Sequence, residues 1–405
     1  MHITIFIKNF LSMNAIYASS LIFSLITYPI VLAEIGFALW GKVALAIAIT
    51  SVLTMFIEFG FNLTGIDKIA NSKHIDTELY VFKSIFLVKL TCYFIILISS
   101  LIIFIYSNMI DYIMLLSIIL LPLSEVFQSA WYLQAKKKVH KAIWFYIIPK
   151  LLFGIIIALF INKENYYNYI VYFFLSNFIS NILVFAINYS YLLKNSKNNI
   201  RIKINDILIL IKISYPIMFS KFIGMLKDRT SFFALGHYSS NYQVGVFDLA
   251  NKILQLLITP IYMAIILIFP SLKNKNKNKN KKIYIGTLSS TIISGIVITF
   301  SFVFYKYTNF NISNELIKTI IITLCNIPLL YTSSIIANVY FLGYREKYFS
   351  LTSSLAFIIM IISIVITYYV GEINSFTISV CFLFSNFSEA LSRIVIIKSK
   401  KFKNE

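Results

Sequence analysis

The side chains in this 405-residue chain that could do chemistry are ionisable groups set inside apolar runs. They are Lys89, Glu125, Lys150, Lys221, Lys227, Asp228, Arg229, Asp248, Lys252, Glu389 and Arg393. A charge in the middle of a bilayer is expensive, so such residues turn toward a water-filled cavity or toward a partner. Bases outnumber acids in this set. A surplus of Lys and Arg suits a phosphate-bearing group, whose oxygens accept charge-assisted hydrogen bonds. Lys221, Lys227, Arg229, Lys252 and Lys150 are therefore the candidate substrate-binding bases of a cationic cavity, and Asp228, Asp248 and Glu125 the candidate charge-pairing or coupling acids. At about 100° per residue Lys221 and Asp228 share a helix face, and Asp248 and Lys252 form an i,i+4 pair.

A structural role is open to several of these groups. Glu389 and Arg393 are also spaced i,i+4 and read as an ion pair near one membrane surface. Lys89 and Lys150 could snorkel or bridge helices. Glu125 follows Pro122 and could either bind backbone freed by a kink or titrate. The Phe59–Asn62 stretch reads as a helix end, and His237 as a turn residue. No GxxxxGK[ST] loop occurs, which argues against direct ATP coupling. His2, His74, His140 and His237 lack metal-ligand spacing, and Cys92, Cys325 and Cys381 sit in apolar sequence as packing residues. No cofactor, metal or catalytic constellation is expected.

The elements that must position these groups follow from composition. The chain is 59% hydrophobic and 13% charged, against roughly half and a quarter in an ordinary soluble domain. A water-soluble fold is excluded. Windows of about 20 apolar residues predict twelve spans, near 10–33, 36–57, 84–106, 112–135, 142–161, 166–193, 207–235, 242–270, 283–305, 316–342, 348–370 and 373–397. The expected fold class is an all-α polytopic membrane protein of twelve transmembrane helices in two six-helix lobes. The lobes span 1–195 and 207–398, joined by a cytoplasmic linker at 196–206. The basic run 273–282, KNKNKNKNKK, should be a flexible cytoplasmic loop, with a cytoplasmic tail at 399–405.

The net charge of +20 would in a soluble protein point to nucleic acid. Here the bases lie mostly between apolar runs, and no nucleic-acid partner is expected. Sorting loop bases puts Lys68, Lys73, Lys83, Lys136–Lys138, Lys194, Arg201, Lys203 and the 273–282 run on one side, and little beyond Lys42, Lys163 and Lys306 on the other. By the positive-inside rule both termini are cytoplasmic. Tyr106, Tyr112, Tyr166, Tyr167, Tyr169, Tyr238, Tyr242, Tyr305 and Tyr307 fall near outer ends, as an aromatic belt requires.

The halves resemble each other. Leu39–Gly41 and Gln243–Gly245 open the second and eighth spans, an offset of about 204. Pro122 and Pro328 match at nearly the same offset, and YLQAKK at Tyr132–Lys137 aligns with YFLGYR at Tyr340–Arg345. A six-helix unit used twice implies a pseudo-two-fold axis along the membrane normal, with a cavity between bundles.

Three segments carry a family resemblance. Ile57–Ala70, IEFGFNLTGIDKIA, resembles the signature of O-antigen flippases of the Wzx type, within the polysaccharide transport family of the multidrug/oligosaccharidyl-lipid/polysaccharide exporter superfamily. Pro122–Lys137 is similar to that family's fourth helix, and Gly236–Ile253 to its turn into the eighth. Phe247, Ser129 and Ala130 depart from the usual pattern. The resemblance implies translocation of undecaprenyl-pyrophosphate-linked sugar units across the bacterial inner membrane by alternating access. It also implies a lipid-linked oligosaccharide and membrane lipid as partners, beside a polysaccharide polymerase and a chain-length regulator. A proton or sodium coupling ion is compatible with this but not required. A drug antiporter of the same superfamily is the alternative; it predicts a cavity dominated by acids and aromatics. A glycan polymerase or ligase predicts a sizeable outer loop with clustered bases, and none is present.

Overall fold

The computed structural model describes residues 2–106, 111–196, 202–273, 314–337 and 346–399. Among them every regular element is helical: α1 (His2–Glu58), α2 (Phe61–Ala70), α3 (Ile75–Tyr106), α4 (Tyr112–Val126), α5 (Ala130–Ala135), α6 (Ile143–Phe160) and α7 (Asn168–Asn195). There follow α8 (Ile204–Tyr238), α9 (Asn241–Lys273), α10 (Asn314–Leu324), α11 (Asn326–Ile336), α12 (Glu346–Val370) and α13 (Ser375–Lys398). Nine helical segments among the described residues are long and apolar enough to cross a membrane.

The protein is an all-α polytopic membrane protein. Eleven of the twelve expected spans fall on described helices. Spans one and two are the arms of α1, which breaks at Gly36 (φ 75°, ψ 172°). Span four is α4 with α5, and span ten is α10 with α11. The ninth, 283–305, lies outside the described residues, as do 274–282 and 400–405.

The chain divides into two compact units, Met1–Phe222 and Ile223–Glu405. The boundary between these units lies inside α8. The reason is packing: the start of α8 belongs with the first unit, where Ser214 Oγ lies 2.9 Å from Thr64 Oγ1 and Phe222 packs on Phe56 at 4.8 Å.

In the first unit Phe61, Phe82, Ile85, Trp131, Tyr132 and Val184 form a buried core around α2, α3, α5 and α7. Large apolar side chains on other faces are exposed, in rows at helical spacing. Ile95, Ile98, Ile102 and Ile105 make such a row on α3, and Leu351, Leu355, Ile358, Ile362 and Ile366 another on α12. In water such faces would aggregate, whereas lipid tails solvate them. Of the expected aromatic belt, Tyr106 and Tyr112 are exposed, but Tyr169 is buried against Trp40 at 4.8 Å.

The second unit repeats contacts of the first. Asn188 Nδ2 on α7 donates to Ser129 Oγ at 3.2 Å, and Arg393 Nη1 on α13 donates to Ser333 Oγ at 2.6 Å. Asn181 ties α7 to Ser124 of the Pro122-bearing helix. Asn386 ties α13 to Asn326 of the Pro328-bearing helix.

Candidate functional site

The IEFGFN signature is where α1 stops and α2 starts. Phe59 (φ 46°) and Gly60 (φ 74°) both take left-handed backbone, which reverses helix direction. A Cβ on Gly60 would come within 3.1 Å of the Ser214 carbonyl on α8. One turn on, a Cβ on Gly65 would sit 2.7 Å from the Trp131 ring. The motif therefore works as a joint that lets three helices approach closely. It also brings the end of α1 beside α8, where Lys221 Nζ meets Glu58 Oε1 at 2.6 Å.

A second pair lies at the break between α4 and α5. Buried Lys89 donates to Glu125 Oε1, to the Glu125 carbonyl and to the Gln128 carbonyl, each at 3.1 Å. Carbonyls at a helix end inside a membrane need a donor, and the lysine supplies it. Nearby, the YLQAKK motif also binds a carboxylate: Tyr132 Oη and Lys136 Nζ both donate to buried Glu78. Lys150 is buried on α6.

In the second unit Lys227 is buried, with Nζ 2.8 Å from Asn386 Oδ1 and 2.5 Å from Glu389 Oε2. The other oxygen of Glu389 accepts from Arg393 Nη2 and from Ser353 Oγ. One carboxylate thus bridges two buried bases. Asp228 lies 3.6 Å from Lys227 with half its side chain exposed. Arg229 is the next residue. It lines a cavity of about 300 Å³ together with Asp228, Asn251, Gln255, Thr259 and Phe382, and it is the only base among the described lining residues. Its guanidinium carbon lies 5.5 Å from the Phe232 ring centre. Its Nε is buried without a hydrogen-bond partner. Asp248 is buried on α9, one turn from half-buried Lys252 and within its electrostatic reach.

The sequence-predicted bases thus divide. Lys221 and Lys227 are held by carboxylates, Arg229 lines a cavity, and Lys150, Asp248 and Lys252 stand apart from that cavity's described lining. Glu125 pairs with Lys89. Sequence reasoning missed Glu58, Asn386 and the polar lining Asn251, Gln255 and Thr259. The last three are spaced i, i+4, i+8 on α9, a neutral polar stripe that a search limited to charges passes over.

Residues 6–273 match the model of the polysaccharide biosynthesis protein family. The chain belongs to that family. The family match takes in the Ile57–Ala70 joint, Pro122–Lys137, Gly236–Ile253, and α8 and α9 with the cavity residues they carry. None of the curated proteins compared matches the chain. Solved structures do. A multidrug resistance MATE family transporter of the MOP superfamily, in its inward-facing conformation, aligns with a TM-score of 0.69 at 13% identity, over 95% of this chain and 96% of that one. The lipid II flippase MurJ, inward closed, aligns with a TM-score of 0.70 at 14% identity, over 97% of this chain and 89% of that one. At these identities the likeness is one of fold.

Proposed function

We propose that this polysaccharide biosynthesis protein is a flippase. It moves undecaprenyl-pyrophosphate-linked O-antigen or related polysaccharide repeat units from the cytoplasmic to the periplasmic leaflet of a bacterial inner membrane. The observation that carries this reading is the family match over residues 6–273 in a chain with the fold of MurJ, whose name gives lipid II as its cargo. Both termini are assigned to the cytoplasm from the loop charges. Alternating access delivers the headgroup while the polyprenyl tail stays in lipid. Moving negative charge out of a negative interior is favourable by about 2.3 kcal/mol per charge per 100 mV, so membrane potential alone can drive export. A proton or sodium ion is a compatible coupling partner, and a polymerase and chain-length regulator are the partners downstream.

Of the expected bases Lys150, Lys221, Lys227, Arg229 and Lys252, this reading assigns the pyrophosphate contact to Lys221. Lys221 is the most available of the paired ones, because its side chain is about a third exposed and its described ion pair is with a single carboxylate. The fold likeness to a MATE transporter supports the second reading, a cation-coupled antiporter of small molecules. Deleting the gene separates the two. A flippase deletion accumulates a lipid-linked glycan on the cytoplasmic side, identified by mass spectrometry of extracted lipid. Unchanged lipid-linked glycan with raised drug sensitivity would establish the antiporter. In the complemented strain Lys221→Ala should cut surface glycan severalfold at near-normal protein level; full export would remove Lys221 from the substrate path.

A further inference from the structure

We infer that the cavity lined from α8, α9, α11 and α13 of the second unit is a sugar subsite, which takes the pyranose ring nearest the pyrophosphate of the lipid-linked glycan. The inference rests on the flippase reading and names the part of that substrate this cavity receives. Asn251, Gln255 and Thr259 line it from successive turns of α9. Polar side chains on a membrane-spanning helix are tolerated where they face a partner or a wet cavity. Asp228 and Arg229 add one charge of each sign, so the described lining carries no surplus positive charge to hold a pyrophosphate.

The set has another use. A carboxylate only accepts hydrogen bonds, a guanidinium only donates, and amides and hydroxyls do both. A ring bearing several hydroxyls, each at once donor and acceptor, can satisfy all of them. Phe382 and Leu330 give the cavity an apolar wall against which the C–H face of such a ring can lie. The volume, about 300 Å³, is at the lower end for ligand pockets. That suits one ring, with the rest of the repeat unit outside.

A separate observation points to a ligand in the same place. Arg229 Nε is buried with no hydrogen-bond partner. A buried donor left unmet is destabilising, and native structures rarely keep one. Nε is closed off from the cavity in this arrangement, and a turn of the Arg229 side chain would bring it to a ring hydroxyl there.

The test uses the full-length protein purified in detergent. It is offered equal amounts of bare undecaprenyl pyrophosphate and of the glycan-bearing carrier lipid extracted from the source strain, and native mass spectrometry reads the ratio bound. Wild type should prefer the glycan-bearing lipid. Asn251→Ala and Gln255→Ala should each lower that preference about five- to tenfold, the loss of one hydrogen bond, while leaving bare carrier binding and the thermal midpoint unchanged. Gln255 is exposed, so its variant keeps the test open if Asn251→Ala fails to fold. Unchanged preference in both variants overturns the sugar subsite and leaves the flippase reading intact. Equal loss of both lipids also overturns it, and marks a phosphate site instead. A wild type that retains neither lipid overturns the flippase reading, and the subsite with it.

Discussion

Three bases that stand in apolar sequence are each answered by a carboxylate distant in the chain: Lys89 by Glu125, Lys221 by Glu58 and Lys227 by Glu389. A buried ion pair adds little net stability, but stranding one partner is costly, about 3–5 kcal/mol. Glu389 serves both Lys227 and Arg393, so its loss takes the nearest carboxylate from two buried bases and leaves Lys227 with Asp228 at 3.6 Å, whereas loss of Lys227 leaves Glu389 with Arg393. Glu389→Gln should therefore lower the thermal midpoint of the detergent-purified protein more than Lys227→Met does. Equal or reversed shifts would show that the carboxylate does not bridge. Among the described residues the corresponding place in the first unit holds no such cluster. Val184 and Asn188 stand about 205 residues before Glu389 and Arg393, so the second unit carries charge in a frame that the first fills with neutral groups. The i,i+4 spacing made the Glu389–Arg393 pair legible in the sequence. Lys227 and Asn386, 159 positions apart, were not, because only helix packing brings them together.

At the scale of elements, the joint between α1 and α2 depends on two glycines for different reasons. Gly65 lies under Trp131, where an added Cβ would sit 2.7 Å from the ring. Overpacking of this kind costs about 1–3 kcal/mol. Gly65→Ala should destabilise the wild type by that order, yet add little in a Trp131→Leu background, as read from thermal midpoints in a double-mutant cycle. Additive losses would mean that the clash is relieved elsewhere. Gly60→Ala meets backbone rather than a side chain, at a left-handed φ. It should cost about 1–2 kcal/mol whatever stands at position 131. The motif was legible as a helix end. The need for glycine at each position was not, since it comes from α5 and α8, elsewhere in the chain.

For the whole molecule, orientation is the property on which export direction depends, and the loop charges predict it. A cysteine introduced by Asn276→Cys should react with a membrane-impermeant thiol reagent only after the inner membrane is opened, and one introduced by Ser239→Cys from the periplasmic side. Reversed labelling would turn the export direction around. Local composition controls three features that could be read from the chain alone: an all-α membrane protein, the positions of the spans that fall on described helices, and the break at the FGFN joint. Each follows from hydropathy over about 20 residues or from backbone preferences within a turn, and needs no knowledge of neighbours. The tertiary structure alone decided which ions are neutralised, that the unit boundary falls inside α8, and that Arg229 and a neutral stripe of α9 line a cavity. In a bilayer a charge is stable only opposite its partner or a cavity, and the partner's place is set by packing between helices far apart in the chain.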